Sequence, residues 1–150
     1  MTDLQKVFYA GLVHRWHTNP HLAGTVDRLN GHQARVARII YALWPEAHSV
    51  LIIAALTHDD GEFITGDIPA PCCKTKAQAY AEGEAYHSIW GMEFPALSTV
   101  HQQRLHFADK LDAYMWAKHH APHIMDDPEW VTARRYLFEQ AEALGVEVAL

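Results

Sequence analysis

The run Val50-Leu51-Ile52-Ile53-Ala54-Ala55-Leu56 constrains the fold more than any other stretch of this chain. It belongs to a predicted helix over about Ala47 to Asp60 that is apolar nearly all round. Such a helix offers no face to water, so it is expected in the middle of a domain with other elements packed about it. It ends in His58-Asp59, Gly61 follows, and two more carboxylates stand at Glu62 and Asp67. Gly61 is expected to end the helix in a left-handed conformation. A buried helix that delivers a histidine and an acid side by side reads as half of a metal site.

The rest of the chain carries helical periodicity, with no strand-like alternation, internal repeat or low-complexity linker. A first helix is expected to turn Leu4, Val7, Phe8, Gly11 and Leu12 to one face, which Arg15 continues; Pro20 and Gly24 then mark a loop. Asn30 is the expected N-cap of a second helix, with Gln33 in a capping-box position. That helix turns Val36, Ile39, Ile40 and Leu43 inward and stops at Pro45. The segment from Phe63 to Lys76 holds Gly66, Pro69 and Pro71 and reads as a long ordered loop, a kind of segment that is often functional. Further helices are expected over about Ala77 to Trp90 and about Leu97 to His119, the latter with Val100, Phe107, Leu111 and Met115 inward. Asp127-Pro128-Glu129 opens a last helix with Trp130, Ala133, Leu137, Ala141 and Leu144 on one stripe, ended by Gly145. The expected architecture is all-α, a single-domain bundle of about six or seven helices spanning residues 1–150.

At 150 residues, a chain buries roughly 70% of its unfolded surface and needs no staple to stay folded. The formal net charge of −6 argues against a nucleic-acid polymer as partner, which calls for a basic patch. It leaves room for one small anion held by a few cations and a metal. No apolar run approaches the length of a membrane span. The N-terminal stretch lacks the pattern of a signal peptide, which points to the cytoplasm. The adjacent pair Cys72-Cys73 has neither zinc-motif spacing nor the means to staple a fold, which fits a reducing compartment. The 12 histidines allow several metal ligands without proving any.

Neighbouring side chains on a helix diverge by about 100°, so His58 and Asp59 can converge on one ion only near a terminus. The predicted helix end supplies one. His32 lies in the first turn of the second helix, and Asp109 lies mid-way along the fifth, near its apolar seam. Two histidines and two carboxylates suit Zn, Mn, Fe, Co or Ni, whereas an all-oxygen set would favour Mg or Ca. Asp112, His106, His119, His120 and His123 compete as ligands, and spacing alone does not choose among them.

The order His32, His58-Asp59, Asp109 resembles the H…HD…D pattern of the HD superfamily of metal-dependent phosphohydrolases. The likeness is closer to one branch, the bacterial 5′-deoxynucleotidases and their phage relatives that hydrolyse deoxynucleoside triphosphates. It is carried by Arg15-Trp16, by Gly31-His32 opening a helix, by the block from His58 to Pro71 with Glu62 and Thr65-Gly66-Asp67, and by Ala108-Asp109-Lys110. It spans about Arg15 to Lys118. The short length and the tight loop from Pro69 to Pro71 resemble the phage group.

The resemblance implies that His32, His58, Asp59 and Asp109 hold one divalent ion, drawn from Zn, Co, Mn, Mg or Ni. It implies that Glu62 positions or activates the attacking water, that Asp67 meets the sugar 3′-hydroxyl, and that Trp16 lies against the sugar and disfavours a 2′-hydroxyl. Arg15 is implied to meet phosphate, and Pro71 to belong with Asp67 to the deoxynucleoside pocket. The family's loop carries a lysine soon after the second proline; Cys73 stands there in this chain, and Lys74 follows one residue later as the candidate phosphate contact. The implied activity is hydrolysis of 2′-deoxynucleotides, from dNMP to dNTP such as dATP, in the cytoplasm (the host's, for a phage protein), by a homo-oligomer. Such hydrolysis needs an activated water and neutralised phosphate oxygens, which a divalent ion with a carboxylate base and an arginine can provide. Two rival readings are an HD phosphodiesterase on cyclic nucleotides or RNA, with His87, His101 and His106 near a second ion, and a non-catalytic nucleotide-binding regulator.

Overall fold

The computed structural model describes residues 1–67 and 74–150. Its elements are α1 (Leu4–Ala10), α2 (Leu29–Leu43), α3 (Ser49–Thr57), α4 (Glu62–Thr65), α5 (Lys76–Trp90), α6 (Thr99–His120), a 3-10 turn (Pro122–Ile124) and α7 (Pro128–Leu144). No strand occurs among the described residues; a lone antiparallel bridge pairs His14 with Arg28. The architecture is an all-α bundle. No helix among the described residues is long and apolar enough to cross a membrane.

Local chemistry sets several helix ends. The Asp3 carboxylate accepts from the Gln5 and Lys6 backbone N–H groups at the start of α1. Thr75 and Gln78 form a reciprocal capping box on α5, and Ser98 accepts from the His101 N–H on α6. Asp127 stands at the N-cap position of α7 with Pro128 first in the helix, as expected, although its side chain makes no capping hydrogen bond, and Gly145 closes the helix with φ 68°. The core joins α2, α3, α6 and α7, with Trp16, Leu22, Val36, Ile40, Leu51, Phe107, Leu111, Tyr114, Trp130 and Leu137 among its members.

Several expectations are corrected. The N-cap position of α2 is Arg28, and Asn30 lies inside the helix. Gln33 does not fold back in a capping box, because its amide donates to the buried Asp60 carboxylate at 2.8 Å. Helix α1 ends at Ala10, before Leu12 and Arg15, and its Leu4, Phe8 and Leu12 neighbours in the pattern are exposed. The short helix meets α4 and α5 instead of the main core. Helix α3 stops at Thr57 and is not enclosed all round: Leu51, Ala54 and Ala55 are buried, while Ile53 and Leu56 are exposed. On α6, Val100 and Met115 are exposed. Val100 lies in the first turn, and Met115 is rotated about 80° from Phe107 at 100° per residue.

Candidate metal centre and its surroundings

Helix α2 packs against both α3 and α6. That arrangement brings the first turn of α2, the end of α3 and the middle of α6 to one place. His32 Nε2 lies 3.4 Å from Asp59 Oδ2 and 3.1 Å from Asp109 Oδ1. His58 Nε2 lies 3.2 Å from Asp59 Oδ2 and 3.7 Å from Asp109 Oδ1. One ligand-capable atom from each of these four residues falls within 4.8 Å of all the others. Among the described residues, no other group of three or more histidines, cysteines or acids gathers in this way. The rival ligands lie elsewhere: His106 packs edge-on to Tyr136, His119 meets His120 edge-on beside Trp116, and His123 meets His21. Asp112 is at the site, but behind His32.

The two imidazoles are held from the rear. His58 Nδ1–H donates to the Ala55 carbonyl at 2.9 Å, and His32 Nδ1 is 2.7 Å from Asp112 Oδ2. Both Nε2 atoms are buried and have no hydrogen-bond partner. Buried polar atoms without partners are costly. A divalent cation between these nitrogens and the Asp59 and Asp109 carboxylates would satisfy both, in the carboxylate–histidine arrangement common to metal sites. The donor set therefore fits such an ion. Burial opposes charge on His32, but Asp109, Asp112 and Asp59 outweigh it and raise its pKa to about 9. His58 is likewise raised, against burial, by Asp59 and Asp109. Burial also opposes ionisation of Asp59 and Asp109, yet the histidines hold both below the ordinary carboxylate range. A metal cation would take the place of protons here.

Glu62 opens α4 and is buried. Its Oε1 is 3.2 Å from Lys74 Nζ, and its Oε2 is buried without a partner. Burial and the charge of Asp59 push its pKa up to about 9. Lys74 Nζ also lies 3.6 Å from Asp59 Oδ1 and 2.9 Å from Glu82 Oε2. Burial works against that cation, but the three carboxylates raise its pKa. Gly61 is not left-handed: its φ is −58°. A Cβ there would stand 2.5 Å from the Glu82 carbonyl oxygen, so the glycine permits close approach of the α5 backbone. The positive φ belongs to Gly66, at 86°.

Arg15, Trp16 and Asp67 also come together. Asp67 Oδ2 accepts from the Trp16 backbone N–H at 3.2 Å. Trp16 has φ 67°, uncommon for a bulky residue, and its side chain is fully buried. Such a backbone costs about 1–3 kcal/mol and persists only where the surroundings over-determine it. Here Asp67 holds the backbone, and Asp27 Oδ2 accepts from the indole Nε1 at 2.9 Å. Arg15 is buried too; its Nη1 donates to the same Asp27 oxygen at 2.9 Å, and its guanidinium lies 5.2 Å from the Trp16 ring centroid. In this conformation Arg15 and Trp16 are core partners of Asp27 and present almost no surface to a ligand. Pro71, Cys72 and Cys73 lie outside the described residues.

Asp27 and Arg35 escape the sequence reading. Arg35 Nη2 donates to Asp27 Oδ1 at 2.9 Å and to Asp112 Oδ2 at 3.1 Å, while its Nε donates to Asp112 Oδ1 at 2.6 Å. Asp112 had a findable signal: it follows Asp109 by three residues, on the same helix face. Asp27 sits in a loop with no periodicity to mark it. Comparison with models of known protein families, with curated proteins and with solved structures finds no match for this chain.

Proposed function

We propose that this protein is a divalent-metal-dependent phosphohydrolase acting on 2′-deoxynucleotides, releasing the deoxynucleoside from a dNMP or from a dNTP such as dATP. One observation carries the metal-dependent part: two buried, unpartnered imidazole nitrogens face the carboxylates of Asp59 and Asp109. The substrate class comes from the sequence pattern, since a helical fold by itself implies no activity. His32, His58, Asp59 and Asp109 would hold the ion. Once bound, a divalent ion supplies a Lewis acid for phosphate oxygens and lowers the pKa of a coordinated water.

The chain's own residues have the following parts. Glu62, with Oε2 unpartnered, accepts the proton from the attacking water once a neighbouring cation has drawn off the proton that burial and Asp59 favour on it. Lys74 screens the carboxylates of Glu62, Asp59 and Glu82 from one another and offers an ammonium to incoming phosphate. Asp67 is the sugar-hydroxyl acceptor; Arg15 and Trp16 reach substrate only after a rearrangement of the buried cluster around Asp27.

The second-ion reading draws no support from the named histidines. His87 pairs with Glu93 at 3.0 Å, His101 lies 5.7 Å from the His48 ring, and His106 packs on Tyr136. A cytoplasmic homo-oligomer is part of the proposal. Of the aromatic residues available for an interface, Phe138 is exposed, Trp116 and Tyr136 are half-buried, and Tyr114 and Trp130 belong to the core.

The test is a hydrolysis panel of deoxy- and ribonucleotides, mono- to triphosphate, with Mn, Co, Zn, Mg or Ni. Release of phosphate from dAMP or of triphosphate from dATP, with ribonucleotides spared, supports the proposal and distinguishes its two forms. No turnover of any deoxynucleotide with any of these ions sinks it.

A further inference from the structure

We infer that Asp112 and Arg35 are positioning residues that set the tautomer of His32 and thereby the affinity of the site for its ion. The inference rests on the metal-centre part of the proposed function and not on the substrate. Three observations lead to it. Asp112 is buried, and its Oδ2 lies 2.7 Å from His32 Nδ1. Arg35 grips both oxygens of that carboxylate, through Nε at 2.6 Å and Nη2 at 3.1 Å, which fixes its plane. The other ring nitrogen of His32 is buried, unpartnered and faces Asp59 and Asp109.

A carboxylate gripped in this way is an acceptor only. It holds the proton of neutral His32 on Nδ1, so the lone pair sits on Nε2, where a cation can use it. His58 is fixed by a neutral acceptor, the Ala55 carbonyl. The two histidine ligands are therefore unequal. The one backed by a carboxylate is the more basic donor, and Arg35, on the outer side of Asp112, keeps that carboxylate ionised and in place.

Asp112→Asn offers the ring an amide that can donate to Nδ1 and so move the proton to Nε2, toward the ion. Loss of an outer-shell partner of this kind costs about 10–100-fold in metal affinity. The experiment titrates Co into metal-stripped protein by calorimetry, and reads the His32 imidazole nitrogens by 15N NMR in the Zn-loaded protein. Expected are a loss of at least about 10-fold for Asp112→Asn, a smaller loss for Arg35→Gln, and in the unaltered protein a proton on His32 Nδ1. Affinity within about twofold of the unaltered protein for a folded Asp112→Asn overturns the inference. So does ligation through Nδ1 in the unaltered protein, a readout that needs no variant to fold. Neither readout involves a nucleotide, so a failed hydrolysis panel and a failed positioning role are separate results.

Discussion

Glu62 and His32 show how single residues acquire their chemistry from their surroundings. A glutamate on the surface titrates near 4.5; here burial and Asp59 hold its proton up to about 9. Bringing a cation beside it reverses that balance, because a bound ion is the largest local charge in such a site. Glu62→Gln keeps the shape and removes the proton acceptor. The expected result is a fall in the hydrolytic rate of about 10²–10⁴-fold with Co affinity kept within a few-fold, measured on the best substrate of the panel. An equal loss of metal binding would instead mark Glu62 as a ligand. Of these residues, His58-Asp59 and Glu62 stand out in the sequence because ionisable groups rarely end an apolar run. Asp27 does not, because its meaning lies in three donors (Arg15, Trp16 and Arg35) that are brought to it only by folding.

At the scale of elements, the site depends on how closely α5 approaches the turn between α3 and α4. Gly61 permits that approach: a side chain there would meet the backbone of Glu82, whose carboxylate holds Lys74. Backbone cannot swing aside as a flexible side chain can. Gly61→Ala is therefore expected to destabilise the protein by about 1–3 kcal/mol as an overpacking strain. In a chain of this size that is a fall in Tm of about 2–12 °C. Thermal unfolding followed by circular dichroism checks it, and an unchanged Tm would mean that the α4–α5 contact is loose. The expectation of a left-handed glycine located a needed glycine for the wrong reason. That a Cβ at this position would stand 2.5 Å from the Glu82 carbonyl oxygen, 21 residues further on, is a tertiary fact with no local signature.

For the whole molecule, the cluster couples stability to pH and to metal. His32 titrates at about 9 in the folded chain against 6.5 for a free histidine, so its stabilising proton is fully effective below pH 6.5 and is lost as pH rises through about 9. Glu62 acts in the same direction: above pH 4.5 the unfolded chain ionises it while the folded chain keeps it neutral up to about 9. Metal-stripped protein should lose thermal stability steadily from pH 6.5 to 9. A divalent ion at 100 times its dissociation constant should restore about 2.7 kcal/mol, flattening the profile. Scanning calorimetry across that range, with and without Co, is the measurement; a pH-independent Tm in the stripped protein would refute the coupling. The sequence by itself determined the helical class, the start of α7 and its stripe, and the acid-histidine step after α3, because those depend on periodicity and on neighbours a few residues apart. Only the tertiary structure decided which competing residues meet, that Asp112 stands behind His32 and not beside it, and that Arg15 and Trp16 are closed around Asp27. Those are contacts between distant parts of the chain, fixed by how α2 crosses α3 and α6, and no local pattern encodes them.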